Sequence, residues 1–254
     1  MENICLTCHE KGIEYIQLVL EKSIDNFVVG KFSKDYATSL KTQINDTKIA
    51  VLGSYINPSN PNDEELDADI RKFKEKIKYA SVLGPIVVGT ETGIYKEGMT
   101  NSEEAYQRVL STIREVLDEA KKYDVCVGIE GVYCFVINTP LKMKRLLDDL
   151  DSDNVKVIFD PVNYLNIDNY KEQDKMINDI FELCADKICV LHAKDFTVVN
   201  GEFKSAKPTE GMLNYELIIK KMKEHNLDIP IICEEISEDE ANIAFDKLEK
   251  IWRN

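Results

Sequence analysis

Four short stretches decide the fold: VCVGIEG at residues 125–131, VKVIFDPVN at 155–163, ICVLHAKD at 188–195 and IPIICEE at 229–235. Each is a run of mostly β-branched and apolar residues that closes on an ionisable one: Glu130, Asp160, His192 and Glu234. Near-continuous apolar runs of this length fit strands buried on both faces, as parallel sheets are. The closing residues lie 30, 32 and 42 positions apart, enough in each case for one crossover helix.

Working outward, three more apolar runs precede these, at 13–20, 48–56 and 85–90, and the four later strands are expected over 125–129, 155–159, 188–191 and 229–233. Segments with helical spacing fall between them, at 65–83, 102–122, 141–149, 176–185 and 215–225, and a last one follows at 239–252. Punctuation agrees with this division. Gly84-Pro85 stops one helix, Thr139-Pro140 supplies N-cap and N1 for another, and Ser237 begins the last. Strands alternating with helices imply right-handed crossovers and a parallel sheet. An open doubly wound sheet normally carries a Gly-rich phosphate turn after its first strand, and the chain has neither G-x-G-x-x-G nor G-x-x-x-x-G-K-[ST]. The expectation is an α/β fold of TIM type, a (β/α) barrel forming one domain over residues 1–254, with no linker to divide it. Only seven strands are recognisable, and the first element, 2–11, reads as a helix. The first strand of a complete barrel is therefore missing or atypical. A gap would have to be covered by a loop or a partner chain, for which a second copy is a candidate.

Composition narrows the function. The net charge is −14 and no basic patch interrupts it, so nucleic acid is not an expected partner. No apolar run approaches the roughly 20 residues of a membrane span, and Met1-Glu2-Asn3 does not begin a secretory signal. Seven scattered cysteines in such a chain read as reduced core thiols of a cytoplasmic protein. Cys5-Leu6-Thr7-Cys8-His9 matches the C-x-x-C-H pattern of haem attachment, but two cysteines three apart on an amphipathic helix simply face a core. The Lys/Glu-rich segment 64–78 reads as a solvated outer face.

In a barrel, chemistry sits at the C-terminal ends of the strands. Those ends carry Glu91, Glu130, Asp160, His192 and Glu234. Aiming the last four at one point calls for a compensating charge, because an unpaired buried charge is costly. A divalent cation supplies it. Three carboxylates and an imidazole form a hard donor set that suits Mn²⁺ or Mg²⁺, with Co²⁺ or Zn²⁺ admissible. Glu235 adjoins Glu234, and alternation points only one of them inward; Glu234 is preferred.

The motifs IEYIQL (13–18), GTETG (89–93), GIEGV (128–132), FDPVNYL (159–165), HAKDF (192–196) and IICEE (231–235) together resemble the sugar isomerase/epimerase group of xylose-isomerase-like TIM barrels, from about Glu14 onward. That group includes ketose 3-epimerases, inosose dehydratases and, more distantly, type IV apurinic endonucleases. The resemblance implies that Glu130, Asp160, His192 and Glu234 bind one divalent metal, and that the strand at 13–20 is the second of the family barrel. Two features depart from the ketose 3-epimerases. Tyr133, Cys134 and Phe135 occupy the loop where those enzymes have a second Glu, and Asn163 stands in place of a His. With only His9, His192 and His225, the endonucleases' three-metal cluster has no ligands here.

The implied activity is a metal-dependent isomerisation or epimerisation of a sugar or sugar phosphate through a metal-stabilised enediolate, with Glu130 and Glu234 as the proton-transferring pair. Two alternatives stand beside it: an inosose-type dehydratase, and a metal-binding relative whose incomplete barrel has cost it activity. Asn163, Lys194 and Glu91 are candidates for binding the carbohydrate substrate. Each has a plainer reading, as closure of the Asp160-Pro161 turn, as a solvated lysine, and as a paired carboxylate of the mouth.

Overall fold

The computed structural model describes residues 2–253; Met1 and Asn254, which end the expected domain, lie outside them. Seven parallel strands form one sheet: β1 (Tyr15–Leu18), β2 (Lys48–Gly53), β3 (Val87–Thr90), β4 (Val127–Glu130), β5 (Val155–Phe159), β6 (Ile188–Ala193) and, after a hairpin of β7 (Asp195–Val199) and β8 (Glu202–Ala206), β9 (Ile231–Cys233). Each pairs with the strand before it in the sheet, in the order β1-β2-β3-β4-β5-β6-β9. Helices α1 (Glu2–Glu10), α2 (Leu20–Ser23), α3 (Lys34–Ile44), α4 (Asp63–Leu83), α5 (Glu103–Lys122), α6 (Pro140–Leu150), α7 (Gln173–Cys184), α8 (Tyr215–Glu224) and α9 (Ala241–Arg253) cover its outer face. This is an α/β TIM-type barrel of seven strands.

The end strands do not hydrogen-bond, yet their Cα atoms approach within 8 Å. An intervening strand needs two lateral spacings, about 9.6 Å. The expected gap is therefore narrower than a strand where the ends meet, and the element before β1 is helical. On this side a cleft of about 490 Å³ remains, bordered by Cys8, Tyr15, Gln17, Ile236 and Phe245.

Caps lie where the sequence placed them. Gly84 closes α4 at φ 74°, the Thr139 hydroxyl accepts from the Lys142 amide ahead of α6, and Ser237 forms a capping box with Glu240. One expectation needs correction. The segment 64–78 is not wholly solvated, because Glu75 is 6% and Lys76 1% exposed. Lys76 pairs with Glu21 and lies over the Phe27 ring, while Glu75 accepts from the Gly30 amide, so the two tie the segment after β1 to α4. Among the cysteines, Cys5, Cys8 and Cys184 are buried and Cys134 is exposed; all seven are free.

Alternation along the strands separates two cores. Val51, Val87, Ile158, Val190 and Ile232 pack inside the barrel, while Val88, Val127, Ile129, Val157, Phe159 and Leu191 face the helices. Gly89 and Gly128 also face inward: a Cβ on Gly89 would lie 2.6 Å from Val51 Cγ1, and one on Gly128 2.8 Å from Val87 Cγ2. Counting two residues on from these positions reaches Glu91, Glu130, Asp160, His192 and Glu234, so the period of two alone turns all five into the mouth.

Candidate metal centre

Glu130, Asp160 and His192 each offer a donor atom, and these atoms all lie within 4.8 Å of one another. The three residues are 3%, 0% and 1% exposed. Glu234, the fourth expected ligand, lies outside this group but against the imidazole: its Oε1 is 3.3 Å from His192 Nδ1, the same atom that Glu130 Oε1 approaches at 3.6 Å. Lys194 bridges the remaining carboxylates, with Nζ 2.8 Å from Asp160 Oδ2 and 3.3 Å from Glu234 Oε2. The strand ladder sets Glu234 in place. Its amide donates to the Ala193 carbonyl at 2.9 Å, one step beyond the β6–β9 pairing. Glu235 then adopts φ 58°, and its side chain leaves for solvent.

Asn163 is committed to this cluster. Its backbone amide donates to Asp160 Oδ1 at 3.0 Å, closing the turn, and its side-chain amide donates to Glu130 Oε1 at 2.6 Å. Tyr215 fixes the other flank by donating its hydroxyl to the Lys194 carbonyl at 2.8 Å. Asp195, 1% exposed, accepts from the amides of Phe196, Gly211 and Leu213, pinning the loop between β8 and α8.

The electrostatics follow from burial and crowding. Burial pushes the Asp160 carboxyl up; Lys194 opposes this, and Glu130 and Glu234 reinforce it. Burial works against the Lys194 ammonium, but Asp160 and Glu234 outweigh it and hold its pKa above the ordinary value. His192 is likewise raised, by Glu130, Glu234 and Asp160 against the pull of burial. Neither of its buried ring nitrogens makes a well-formed hydrogen bond among the described residues. Buried polar atoms left in that state are costly, and a cation that accepts nitrogen and oxygen donors would satisfy one of the two. Three carboxylates here face one ammonium, so a doubly charged ion brings the cluster to neutrality. The residues present fit such an ion.

Glu91 is partly buried at the mouth, and burial, followed by repulsion from Glu130, raises its carboxyl to about 7. The unfolded chain releases this proton near the ordinary glutamate value of about 4.3. The stability it contributes is thus full below that value and is lost as pH rises through the folded pKa. Glu91→Gln is expected to flatten the fall in urea midpoint between about pH 4.5 and 7; an unchanged slope contradicts the assignment.

Two mouth residues escaped the sequence reading. Gln17 Nε2 donates to the Tyr55 hydroxyl at 2.9 Å, leaving Gln17 Oε1 buried without a partner among the described residues. Gln17 lines the same cleft as Glu234, so this pair, on β1 and in the loop after β2, lies by the acidic cluster, and the Tyr55 pKa is raised by burial and then by Glu130, Glu234 and Glu91. Gln17 is the one polar side chain inside β1, and the alternation Tyr15, Gln17 was the available signal.

Comparison with solved structures gives matches across the chain. The IOLI protein with a bound zinc atom is 17% identical, with a TM-score of 0.80 over 98% of this chain and 92% of that one. D-psicose 3-epimerase with D-tagatose, from Clostridium cellulolyticum H10, is 14% identical, with a TM-score of 0.76 over 99% and 93%. A xylose isomerase-like TIM barrel protein from Mycobacterium smegmatis, in complex with magnesium, is 17% identical, with a TM-score of 0.72 over 99% and 87%. At these identities the likeness shows the fold. A search of curated protein sequences gives no match. No helix among the described residues is long and apolar enough to cross a membrane. The sequence profile described as Xylose isomerase-like TIM barrel matches residues 6–253, and with the strand order above it shows that this chain belongs to the xylose isomerase-like TIM barrel family.

Proposed function

We propose that the chain is a divalent-metal-dependent isomerase or epimerase acting on a small sugar or sugar phosphate. The observation that carries the reading is the buried convergence of Glu130, Asp160 and His192, with Glu234 against the imidazole. The family, and neighbours described as an epimerase and as zinc- or magnesium-bound proteins, support it. Glu130, Asp160, His192 and Glu234 would hold the ion, and the oxygen-rich set favours Mn²⁺ or Mg²⁺. When bound, the ion would polarise a substrate carbonyl and stabilise the enediolate left by loss of the adjacent C–H proton.

The chain's own residues do the rest. Glu130 and Glu234, whose carboxylates both approach His192 Nδ1, are the pair that removes the proton and returns it. Asn163 holds the Glu130 carboxylate in orientation. Lys194 faces Asp160 and Glu234 and would offer its ammonium to a substrate oxygen. Gln17, Tyr55 and Glu91 would bind hydroxyls on the opposite wall. The reading places the protein in the cytoplasm as one domain, with a carbohydrate partner and no nucleic acid or membrane, and leaves room for a homo-oligomer.

The test is solvent exchange. In heavy water with Mn²⁺, a panel of ketoses and aldoses is followed by NMR for deuterium at the carbon next to the carbonyl. Exchange that is abolished by EDTA is the expected result. No exchange across the panel contradicts it, and a product short of one water would move the assignment to a dehydratase.

A further inference from the structure

We propose that the mouth carries a second carbohydrate subsite beside the metal centre, which narrows the preferred substrate among the sugars above to a glycosylated ketose. This extends the isomerase reading and rests on it for the reacting end of the substrate.

The subsite is a groove of about 520 Å³ between the loop after β4, the loop after β5 and the turn of the β7–β8 hairpin. That is ample for a small ligand. Its walls combine Tyr133, 46% exposed, and Ile167, 40% exposed, with Phe203 and with the polar side chains of Asn166, Asp168 and Lys204. The face of an aromatic ring is electronegative, and the C–H groups of a sugar, polarised by neighbouring oxygens, are suited to lie on it. Donors and acceptors around such a face are what a ring of hydroxyls needs. Asp168 and Glu202 on the groove, within a chain of net charge −14, disfavour a phosphate.

The groove is preorganised. Asn166 Oδ1 accepts from the amides of Asp168 and Asn169, at 2.8 and 3.2 Å, which shapes the loop and leaves the Asn166 NH₂ to donate. Phe203 stacks on Phe196 at 4.7 Å, and Phe196 meets Tyr170 edge-on at 6.0 Å, so the hairpin that forms the outer wall is anchored. A seven-stranded barrel does not require that hairpin. The groove opens on the same end of the barrel as the metal centre, and its loops are tied to that centre: the Tyr133 amide donates to the Asn163 carbonyl at 2.6 Å, and the Asn163 side chain holds Glu130. A ketose bound at the centre would extend its glycosyl substituent toward Tyr133.

The test begins without turnover. Saturation-transfer NMR on the full chain in EDTA uses maltitol and lactitol, which keep an intact pyranose and have no carbonyl to enolise. Transfer to the pyranose ring protons is expected, lost in Tyr133→Ala and retained in Tyr133→Phe, whose thermal midpoints confirm folding. No transfer from either probe, or transfer indifferent to Tyr133→Ala, overturns the subsite. In the exchange assay with Mn²⁺, 4-O-glucosyl-fructose is expected to exceed fructose about tenfold in kcat/KM, a ratio that falls toward unity in Tyr133→Ala. Equal values in wild type overturn the substrate class. Pyranose binding at Tyr133 without exchange of any ketose would support the groove and count against the isomerase reading alone.

Discussion

Glu130→Gln is expected to lower the rate of solvent-deuteron incorporation by about 10³-fold, the loss typical of removing a positioned general base. The substitution is nearly isosteric. Its amide oxygen can still accept from Asn163, and the residue stays in the interior layer set by β4, so the fold is retained. What disappears is the charge and the proton acceptor, in a position 3% exposed where no water molecule can stand in freely. Glu234→Gln should act in the same direction. A variant with exchange within tenfold of wild type is not missing its base, and that outcome removes the residue from the mechanism.

Lys194→Met should produce the largest loss of stability. Lys194 is the ammonium that faces both Asp160, fully buried, and Glu234, and its own side chain is only 12% exposed. Methionine preserves the stem and deletes the charge, leaving two carboxylates close together with no cation. Breaking a buried pair in this way costs about 3–5 kcal/mol. The urea-unfolding free energy in EDTA should fall by that amount at neutral pH, and by less in acid, where Asp160 can take up a proton. Millimolar Mn²⁺ should restore much of it, because a divalent ion supplies the missing charge at the same carboxylates. A loss under about 1 kcal/mol would mean that the contacts to Lys194 are no stronger than a surface pair.

The barrel was legible because its strands are buried on both faces: all seven apolar runs of the sequence overlap strands of the sheet, and the last five of those strands end within a residue of Glu91, Glu130, Asp160, His192 and Glu234. Period-two alternation then carried these residues into one mouth. At 234 and 235 the choice follows from which residue of β9 faces inward: Ile232 does, so alternation selects Glu234, and the Glu234 amide bonded to Ala193 and the left-handed turn at Glu235 agree. The hairpin was readable and went unread: Asn200-Gly201, at φ 54° and 80°, is a strong two-residue hairpin signal between the β-rich TVV and EF. Helix α3 was harder, since only Ala37, Leu40 and Ile44 of its eleven residues are buried, too few to stand out as a stripe. The burial of Lys76 and the pairing of Gln17 with Tyr55 join residues 55 and 38 positions apart, and such pairings arise only once the chain is folded.

The central claim is that the ends of four strands converge on a divalent cation. Thermal unfolding of the stripped chain in EDTA and in millimolar Mn²⁺, beside Asp160→Asn, tests it most directly. An ion held only by the folded state at a hundred times its dissociation constant adds about 2.7 kcal/mol, which for a domain of this size is a rise of roughly 5–10 °C in midpoint. The account predicts that rise in wild type and its loss in Asp160→Asn. No rise in wild type, or an equal rise in both proteins, would contradict it.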